Sequence, residues 1–315
     1  MISFQRVTKK YPTGFTGVSD LSFEVEEGEI LVLLGMSGCG KTTALRLINR
    51  LIEPTSGEIF FNGQSITKFD PIALRRGIGY AIQHIGLFTH MTVAENISIV
   101  PRLLKWPEKK IEKRIDELLG MVGLDPKQFS HLYPVKLSGG QKQRVGVARA
   151  LAADPPVILM DEPFGALDPL MRDQLQNEFL EIQSKIRKTV VFVTHDLSEA
   201  VKMGNRIAVL NEGKLVQIAK PAELIEKPAN TFIDRFLGKD RIQLLLQTKS
   251  LGALMGELPH SKNEGNPTLE MQSSLMEALM AFKHSGSSTL SIYNQKEYLG
   301  ELVKESFLQN LSEIL

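Results

Sequence analysis

A glycine-rich segment, GMSGCGKT at residues 35–42, follows the apolar run ILVLL and precedes apolar residues at helical spacing. It fits the pattern G-x-x-x-x-G-K-[ST], whose glycines let backbone amides close around phosphate oxygens at the start of a helix. Lys41 then supplies a positive charge near the β- and γ-phosphates, and the Thr42 hydroxyl can bind Mg²⁺. A flexible glycine/serine turn is the alternative. The Lys-Thr pair directly after a buried strand favours phosphate binding by this phosphate loop (residues 35–42).

Polar side chains follow two further apolar runs. Asp161 and Glu162 follow VILM at residues 157–160, and His195 lies just after VVFV at residues 190–193. Asp161 is predicted to hold Mg²⁺, Glu162 to polarise the attacking water, and His195 to reach a γ-phosphate. Alone, an Asp-Glu pair after a strand is more often a helix cap or a solvated turn, and a single histidine is as often structural as functional. Their shared position at strand ends, beside the phosphate loop, favours catalysis.

A second glycine-rich segment, SGGQ at residues 138–141, begins another helical pattern. Ser138 can cap that helix, and the amides of Gly139 and Gly140 can approach an anion closely. A short SGG before a helix is usually only a cap. The residues by themselves therefore leave capping and anion binding both open.

The elements that must position these residues follow from the apolar pattern. Continuous apolar runs indicate buried strands, alternating runs indicate half-buried antiparallel strands, and spacing of three and four residues indicates amphipathic helices. Buried strands that alternate with helices predict a parallel sheet covered on both faces, which is an α/β fold. The predicted elements are strands at 2–8, 19–25, 30–34, 157–160 and 190–193 and helices at 109–121 and 170–186.

Composition narrows the class of protein. The 315 residues carry 37 Lys and Arg against 36 Asp and Glu, so no global charge would concentrate nucleic acid, and phosphate recognition must be local. No apolar run approaches the roughly 18 residues that span a bilayer, and the N-terminus lacks the apolar core of a signal peptide, so we expect a soluble, cytosolic chain. The single cysteine, Cys39, excludes an internal disulfide framework and a cysteine-based zinc site.

The composition shifts near Gly238. After it come a loop-like stretch at 259–268, an amphipathic helix at 275–282, a strand at 289–293 and a final helix that ends at Leu315. This pattern predicts a small α+β module with no obvious catalytic group.

Over residues 2–238 the chain resembles the ATP-binding subunits of ABC transporters. The phosphate loop and the acidic pair are accompanied, in that family's order and spacing, by the signature LSGGQKQR at 137–144, by Ala166, Leu167 and Asp168, and by THD at 194–196. The resemblance implies a P-loop NTPase fold over 1–238. That fold has a mixed or parallel core sheet, an antiparallel β subdomain and a helical subdomain at about 84–155.

The resemblance also assigns roles to single residues, with ATP and Mg²⁺ as cofactors. It implies that Tyr11 stacks on adenine, that Gln83 senses Mg²⁺ and water, and that His195 is a switch histidine. The implied catalytic residues are Glu162, His195, Gln83 and Lys41; the implied Mg²⁺ ligands are Thr42, Gln83 and Asp161; and the implied nucleotide-binding residues are Tyr11, Gly35, Ser37, Gly38, Cys39, Gly40, Lys41, Thr42, Thr43, Ser138, Gly139, Gly140, Gln141 and Asp168.

Family members hold ATP between two ATPase domains arranged head to tail. By this resemblance the signature turn (residues 138–141) serves the nucleotide of the opposite subunit. The implied partners are a second copy or a homologous subunit, integral membrane permease subunits and an extracytoplasmic substrate-binding protein, without nucleic acid. The implied location is peripheral, at the cytoplasmic face of the inner or plasma membrane.

The sequence between the motifs is similar to importers of quaternary amines such as glycine betaine, proline betaine, carnitine and choline. The most informative stretch is IGYAIQHIGLFTHMTVAENISIVPRLLKWP at 78–107. Two alternatives are an importer of another small solute, such as an amino acid, and a soluble ABC ATPase without a transport role. Residues 239–315 resemble a single diverged cystathionine-β-synthase-type (CBS) repeat.

Overall fold

A computed structural model describes residues 1–81, 86–165, 167–253, 266–295 and 297–312. The strands are β1 (Ile2–Lys10), β2 (Thr16–Val25), β3 (Ile30–Leu34), β4 (Ser56–Phe61), β5 (Gln64–Ser65), β6 (Ile78–Ala81), β7 (Val157–Asp161), β8 (Thr189–Thr194), β9 (Arg206–Asn211), β10 (Lys214–Ala219), β11 (Thr268–Glu270), β12 (Thr289–Asn294) and β13 (Glu297–Val303). The helices are α1 (Lys41–Ile48), α2 (Pro71–Arg76), α3 (Val93–Leu103), α4 (Glu108–Met121), α5 (Pro126–Phe129), α6 (Gly139–Leu151), α7 (Pro169–Ile186), α8 (Leu197–Met203), α9 (Pro221–Glu226), α10 (Thr231–Leu237), α11 (Arg241–Thr248), α12 (Leu275–Ser285) and α13 (Lys304–Ser312).

The chain divides into two compact units, Met1–Lys220 and Pro221–Leu315. The boundary between the units, at residues 220–221, comes earlier in the chain than the composition shift near Gly238, because α9 and α10 belong to the second unit. Each unit has its own cluster of buried apolar side chains.

A mixed six-stranded sheet forms the centre of the first unit, in the order β10-β9-β3-β8-β7-β6. The strands from β9 to β6 are parallel, and only β10 runs antiparallel to its neighbour. Every residue of β3, β7 and β8 is buried, as expected for strands covered on both faces. The structure thus confirms the strands predicted at 30–34, 157–160 and 190–193.

A second sheet in this unit has the order β2-β1-β4-β5 and is antiparallel throughout. Its inner face packs on the central apolar cluster, where the rings of Phe4 and Phe23 stack with centroids 4.5 Å apart. Burial alternates along much of β2, which explains its alternating sequence. Both β1 and β2 extend beyond the predicted 2–8 and 19–25.

Helices α3 to α6 lie between β6 and β7 in the chain, within the range 84–155 predicted as a helical subdomain, whose first two residues lie outside the described residues. A capping box begins α3, because Thr92 Oγ1 accepts from the Glu95 amide while Glu95 Oε2 accepts from the Thr92 amide. The amphipathic helix predicted at 109–121 is α4, which buries Ile111 and Leu118.

The second unit contains a three-stranded sheet of order β11-β12-β13. The predicted helix, strand and final helix correspond to α12, β12 and α13, although residues 313–315 lie outside the described part of the chain. Residues 259–265 of the loop expected at 259–268 lie outside the described part of the chain, and the prediction is wrong at its last residue. Thr268 begins β11, because it pairs in parallel with Ser291 of β12. Among the described residues, no helix is both long and apolar enough to cross a membrane.

Candidate functional site

The central sheet brings three of the predicted catalytic residues, Lys41, Glu162 and His195, to one edge. Leu34 at the end of β3 pairs with Thr194 at the end of β8, and Asp161 at the end of β7 pairs with Val193. The Glu162 amide continues this alignment by donating to the Val193 carbonyl at 3.0 Å. The segments that follow β3, β7 and β8 therefore start side by side, in the crevice where parallel α/β sheets bind ligands.

At two positions of the phosphate loop, close packing against backbone carbonyls leaves no room for a side chain. Gly35 has φ +153°, and a Cβ there would collide with the Leu210 carbonyl oxygen of β9. Gly40 has φ +108°, and a Cβ there would collide with the carbonyl oxygen of Gly17 in β2. Only glycine fits both the backbone angle and the space at these positions.

Lys41 is buried, although it is charged. Its Nζ donates to the carbonyl oxygens of Gly35 at 2.5 Å and Met36 at 3.0 Å. Lys41 is also the first residue of α1, and the N-cap residue Gly40 has no side chain to occupy the first-turn amides. A lysine charge and the positive end of a helix dipole therefore coincide, which suits a phosphate group.

The other residues of the phosphate loop differ in exposure. Ser37 and Gly38 are exposed, and Gly38 has φ +81° with open space around it. Cys39 is buried, its Sγ lies 3.9 Å from Lys41 Nζ, and burial raises the pKa of its thiol.

Thr42 and Asp161 form an oxygen-donor pair. The Thr42 hydroxyl donates to Asp161 Oδ1 at 3.2 Å, and Asp161 is only 8% exposed. Burial raises the pKa of Asp161, while the hydrogen bond from Thr42 and the charges of Arg46 and Lys41 oppose that shift. Mg²⁺ prefers oxygen ligands and usually takes one or two from protein while phosphates and water supply the rest. The pair therefore fits the sequence-predicted role in Mg²⁺ binding.

Glu162 and His195 are brought into contact by the fold. His195 Nδ1 lies 3.2 Å from Glu162 Oε1, and the His195 side chain is 60% exposed. Glu162 has φ +45°, a backbone conformation that non-glycine residues rarely adopt and that is concentrated at functional sites. This arrangement places a carboxylate and an imidazole together at the mouth of the crevice.

Tyr11 lies at the first turn of α1. Its hydroxyl is 3.3 Å from Thr43 Oγ1, and its ring stacks on Phe15 with centroids 6.0 Å apart. Gly17 also belongs to this site and was not predicted, since a Cβ there would lie 2.9 Å from both the Tyr11 ring and the Thr43 side chain. Nothing local in the TG pair at residues 16–17 signals this packing.

The signature turn is a capping box. Ser138 Oγ accepts from the Gln141 amide at 3.3 Å, and Gln141 Oε1 accepts from the Ser138 amide at 2.9 Å. No hydrogen bond among the described residues joins Ser138 or Gln141 to the cluster around Lys41. Gly139 is exposed with open space around it, Gly140 packs near Met171, and Asp168 caps α7 through the Met171 amide at 3.0 Å.

Sequence comparison decides the family. The profile of the family described as ABC transporter matches residues 18–165. The choline transport ATP-binding protein OpuBA of Bacillus subtilis is 45% identical over 299 residues, which are 95% of this chain and 77% of that protein. This chain belongs to the ABC transporter ATP-binding family. Nucleotide binding is therefore a property of the chain.

Two more comparisons support the ABC assignment. The glycine betaine/carnitine/choline transport ATP-binding protein OpuCA of Bacillus subtilis is 53% identical over 242 residues, covering 77% of this chain and 63% of that protein. A solved dimeric, post-hydrolysis state of an ATP-binding cassette bound to ADP and Pi aligns with TM-score 0.63 and 35% identity, covering 70% of this chain and 98% of that chain.

Two residues that the ABC resemblance singled out, Gln83 and Ala166, lie outside the described residues. The fold joins Lys41, Thr42, Asp161, Glu162 and His195 around one sheet edge and places Tyr11 and Thr43 at the start of the same helix α1.

Proposed function

We propose that this chain is the ATP-hydrolysing, energy-coupling subunit of an importer for quaternary amines such as glycine betaine, choline and carnitine. The observation that carries the substrate class is the similarity to relatives named as transport proteins for these solutes, at 53% and 45% identity. The contact between Glu162 and His195, at the same sheet edge as the phosphate loop, supports the ATPase chemistry.

In this proposal the phosphate loop binds the nucleotide phosphates through Lys41 and the first-turn amides of α1, and the Tyr11 ring stacks on adenine. Thr42, Asp161 and Gln83 would hold Mg²⁺, which would supply positive charge against the phosphates. Water attacks the γ-phosphorus, the bond to the β-γ bridging oxygen breaks, and Glu162 accepts the proton from water. His195 orients Glu162 and contacts the γ-phosphate.

We further propose a head-to-tail pair of ATPase domains, each holding ATP between its phosphate loop and the signature turn of the other. The exposure of Ser138, Gly139 and Asp168 supports this role, because these groups remain free to meet a second subunit. Gln141 holds the turn by accepting from the Ser138 amide, while Gly140 is buried beside Met171.

The proposed partners are permease subunits in the membrane and an extracytoplasmic substrate-binding protein, with this chain at the cytoplasmic face of the membrane. The proposed ATPase domain is 1–238, and residues 239–315 form an appendage that resembles one CBS repeat. Its helix-strand-strand-helix order, α12-β12-β13-α13, supports that resemblance.

Uptake by the source cells tests this function. Deletion of the gene should abolish uptake of labelled glycine betaine, choline and carnitine at high external salt, and the parent gene should restore it. Restoration by a Lys41→Met variant should fail, since that chain cannot hold the phosphates. Unchanged quaternary-amine uptake together with lost uptake of an amino acid would assign the chain to another importer. Unchanged uptake of every solute, with ATPase activity intact, would remove the transport role.

A further inference from the structure

Three polar pairs join α7 to α8 and to the turn that precedes α8. Each pair takes one side chain from the first two turns of α7. The pairs are Arg172 Nη1 with Asp196 Oδ2 at 3.5 Å, Gln176 Nε2 with Glu199 Oε1 at 2.9 Å, and Lys202 Nζ with Asp173 Oδ1 at 2.5 Å.

Arg172 differs from the other side chains in these pairs because it also contacts a residue that precedes α7 in the chain. Its Nη2 donates to the Leu167 carbonyl at 3.1 Å, while Nη1 faces Asp196. Its Nε is buried and finds no hydrogen-bond partner in the described part of the chain. The guanidinium is therefore held by one hydrogen bond, to the Leu167 carbonyl, and by one ion-pair contact, to Asp196, which lie on two different segments.

The first segment is the loop before α7 (residues 167–168). Asp168 in this loop caps α7 by accepting from the Met171 amide at 3.0 Å, and it is exposed. The contact from Arg172 to the Leu167 carbonyl ties the loop to the first turn of the helix that the loop begins.

The second segment is the switch turn (residues 194–196), which contains His195. The Asp196 amide donates to Thr194 Oγ1 at 3.0 Å, and Asp196 Oδ1 accepts from the Glu199 amide at 3.0 Å. Glu199 is buried, and its pKa is raised by that burial, while Thr194 and Gln176 hydrogen-bond to it. Both neighbours of His195 are thus held, and Arg172 is the cation that faces Asp196.

We propose that Arg172 is a positioning residue that couples the loop before α7 to the switch turn. It acts on His195 through Asp196 and on Asp168 through the Leu167 carbonyl, without touching nucleotide. Because one rigid guanidinium holds both segments, a shift of either transmits to the other. The inference rests on the proposed ATP hydrolysis, since His195 and Asp168 act there. Lysine should not replace this function, because its ammonium is a single point and cannot reach the Leu167 carbonyl and Asp196 with two nitrogens held apart in one plane.

The test compares Arg172→Met with Lys202→Met in the full chain. The control variant also loses a cation that joins α7 to α8, but Lys202 contacts Asp173 and neither of the two segments. We expect Arg172→Met to lower kcat by about 10- to 100-fold, the range for small misplacement of catalytic groups, with the nucleotide Kd changed less than about threefold. Lys202→Met should leave both quantities near the parent values.

Hydrogen exchange gives a readout that does not depend on catalysis. In the Arg172→Met protein, amides in both 167–171 and 194–199 should exchange faster, whereas Lys202→Met should accelerate neither segment. Arg172→Lys should resemble Arg172→Met in exchange and in kcat. An effect confined to one segment, equal effects of both methionine variants, or rescue by lysine would overturn the coupling.

A second variant keeps the inference testable if Arg172→Met does not fold. Asp196→Asn retains a side chain that can cap α8 but removes the charge that faces Arg172. It should lower kcat and accelerate exchange in both segments, and parental values would refute the proposal. A parent protein without ATPase activity would refute the proposed function, while the exchange result would still decide whether Arg172 couples the two segments.

Discussion

The phosphate loop and the signature turn both place glycines at the start of a helix, yet the surroundings of those glycines differ. In the phosphate loop, Gly35 and Gly40 are wedged against backbone carbonyls, and the charged side chain of Lys41 is buried. In the signature turn, Gly139 has open space around it and Ser138 is exposed.

This difference distinguishes a turn whose glycines its own fold requires from a turn with a glycine that its own fold does not require. The phosphate loop is fixed by its own strands, so its geometry exists before any second subunit binds. The capping box stabilises the signature turn locally, and no neighbouring atom among the described residues requires a glycine at position 139. Under the proposed head-to-tail pairing, Gly139 would instead serve the close approach of the nucleotide held by the second subunit.

The largest effect is expected at Glu162, which follows β7 at the same sheet edge as the phosphate loop and which we propose as the general base. Glu162→Gln should lower ATP turnover by about 10²- to 10⁴-fold, since general-base catalysis contributes that much, and leave ATP binding intact. The matched control is Glu212→Gln, because Glu212 is exposed and also has a left-handed backbone, with φ +47° against +45° at Glu162. Parental turnover in the Glu162→Gln protein, measured by phosphate release, would refute the assigned base.

The next effect concerns the lysines that follow each glycine-rich segment. Lys41→Met should weaken ATP binding by at least about 30-fold, because it removes a buried charge from the phosphate site. Lys142→Met, in the first turn of α6, should leave the affinity of the isolated chain unchanged. Calorimetric titration with nucleotide measures both. Equal losses would show that the signature turn also binds nucleotide within one chain.

A smaller effect is expected on the free energy of unfolding when a glycine of either turn is replaced by alanine. Gly40→Ala should destabilise the fold by about 1–3 kcal/mol through backbone strain, with a further loss from the collision with the Gly17 carbonyl. Gly139→Ala should be neutral or stabilising by up to about 1 kcal/mol, because alanine favours the helix and nothing obstructs its Cβ. Denaturant unfolding of the two variants gives these values. Comparable destabilisation by both would remove the distinction between the two turns.

The smallest effect is a dependence of stability on pH. Burial raises the pKa of Asp161, so the folded state holds its proton more tightly than the unfolded state. The stability contributed by that proton is present at pH below the ordinary aspartate range and is lost as pH rises through the raised pKa. The free energy of unfolding of Asp161→Asn, relative to the parent, should therefore increase with pH over that window, in the absence of nucleotide and Mg²⁺. Glu199 is present in both proteins, so its own raised pKa cancels in this difference. A difference that is constant with pH would contradict the assignment.

Much of this site could be predicted locally. The phosphate loop follows a strand whose bounds, 30–34, are confirmed to the residue, because a run of five buried apolar residues between a charged turn and glycine admits little else. The acidic pair and His195 were predicted from their position after apolar runs, and their common edge follows from parallel strand pairing.

Other features could not be predicted because they depend on distant segments. Strands β9 and β10 were not predicted, although β9 supplies the carbonyl that excludes a side chain at Gly35. The contact between Glu162 and His195 and the bridge from Arg172 to Asp196 join residues that no local pattern links.

The sequence by itself determined the chemistry of this protein: glycines and a lysine that suit phosphate, carboxylates that suit Mg²⁺ and water, and strands and helices that present them in order. Tertiary structure alone decided which of these groups meet. It set β3 between β8 and β9, and it fixed which glycines the fold requires. The physical reason is that side-chain periodicity is a local property, whereas strand order, steric exclusion and ion pairing depend on groups that are far apart in the chain.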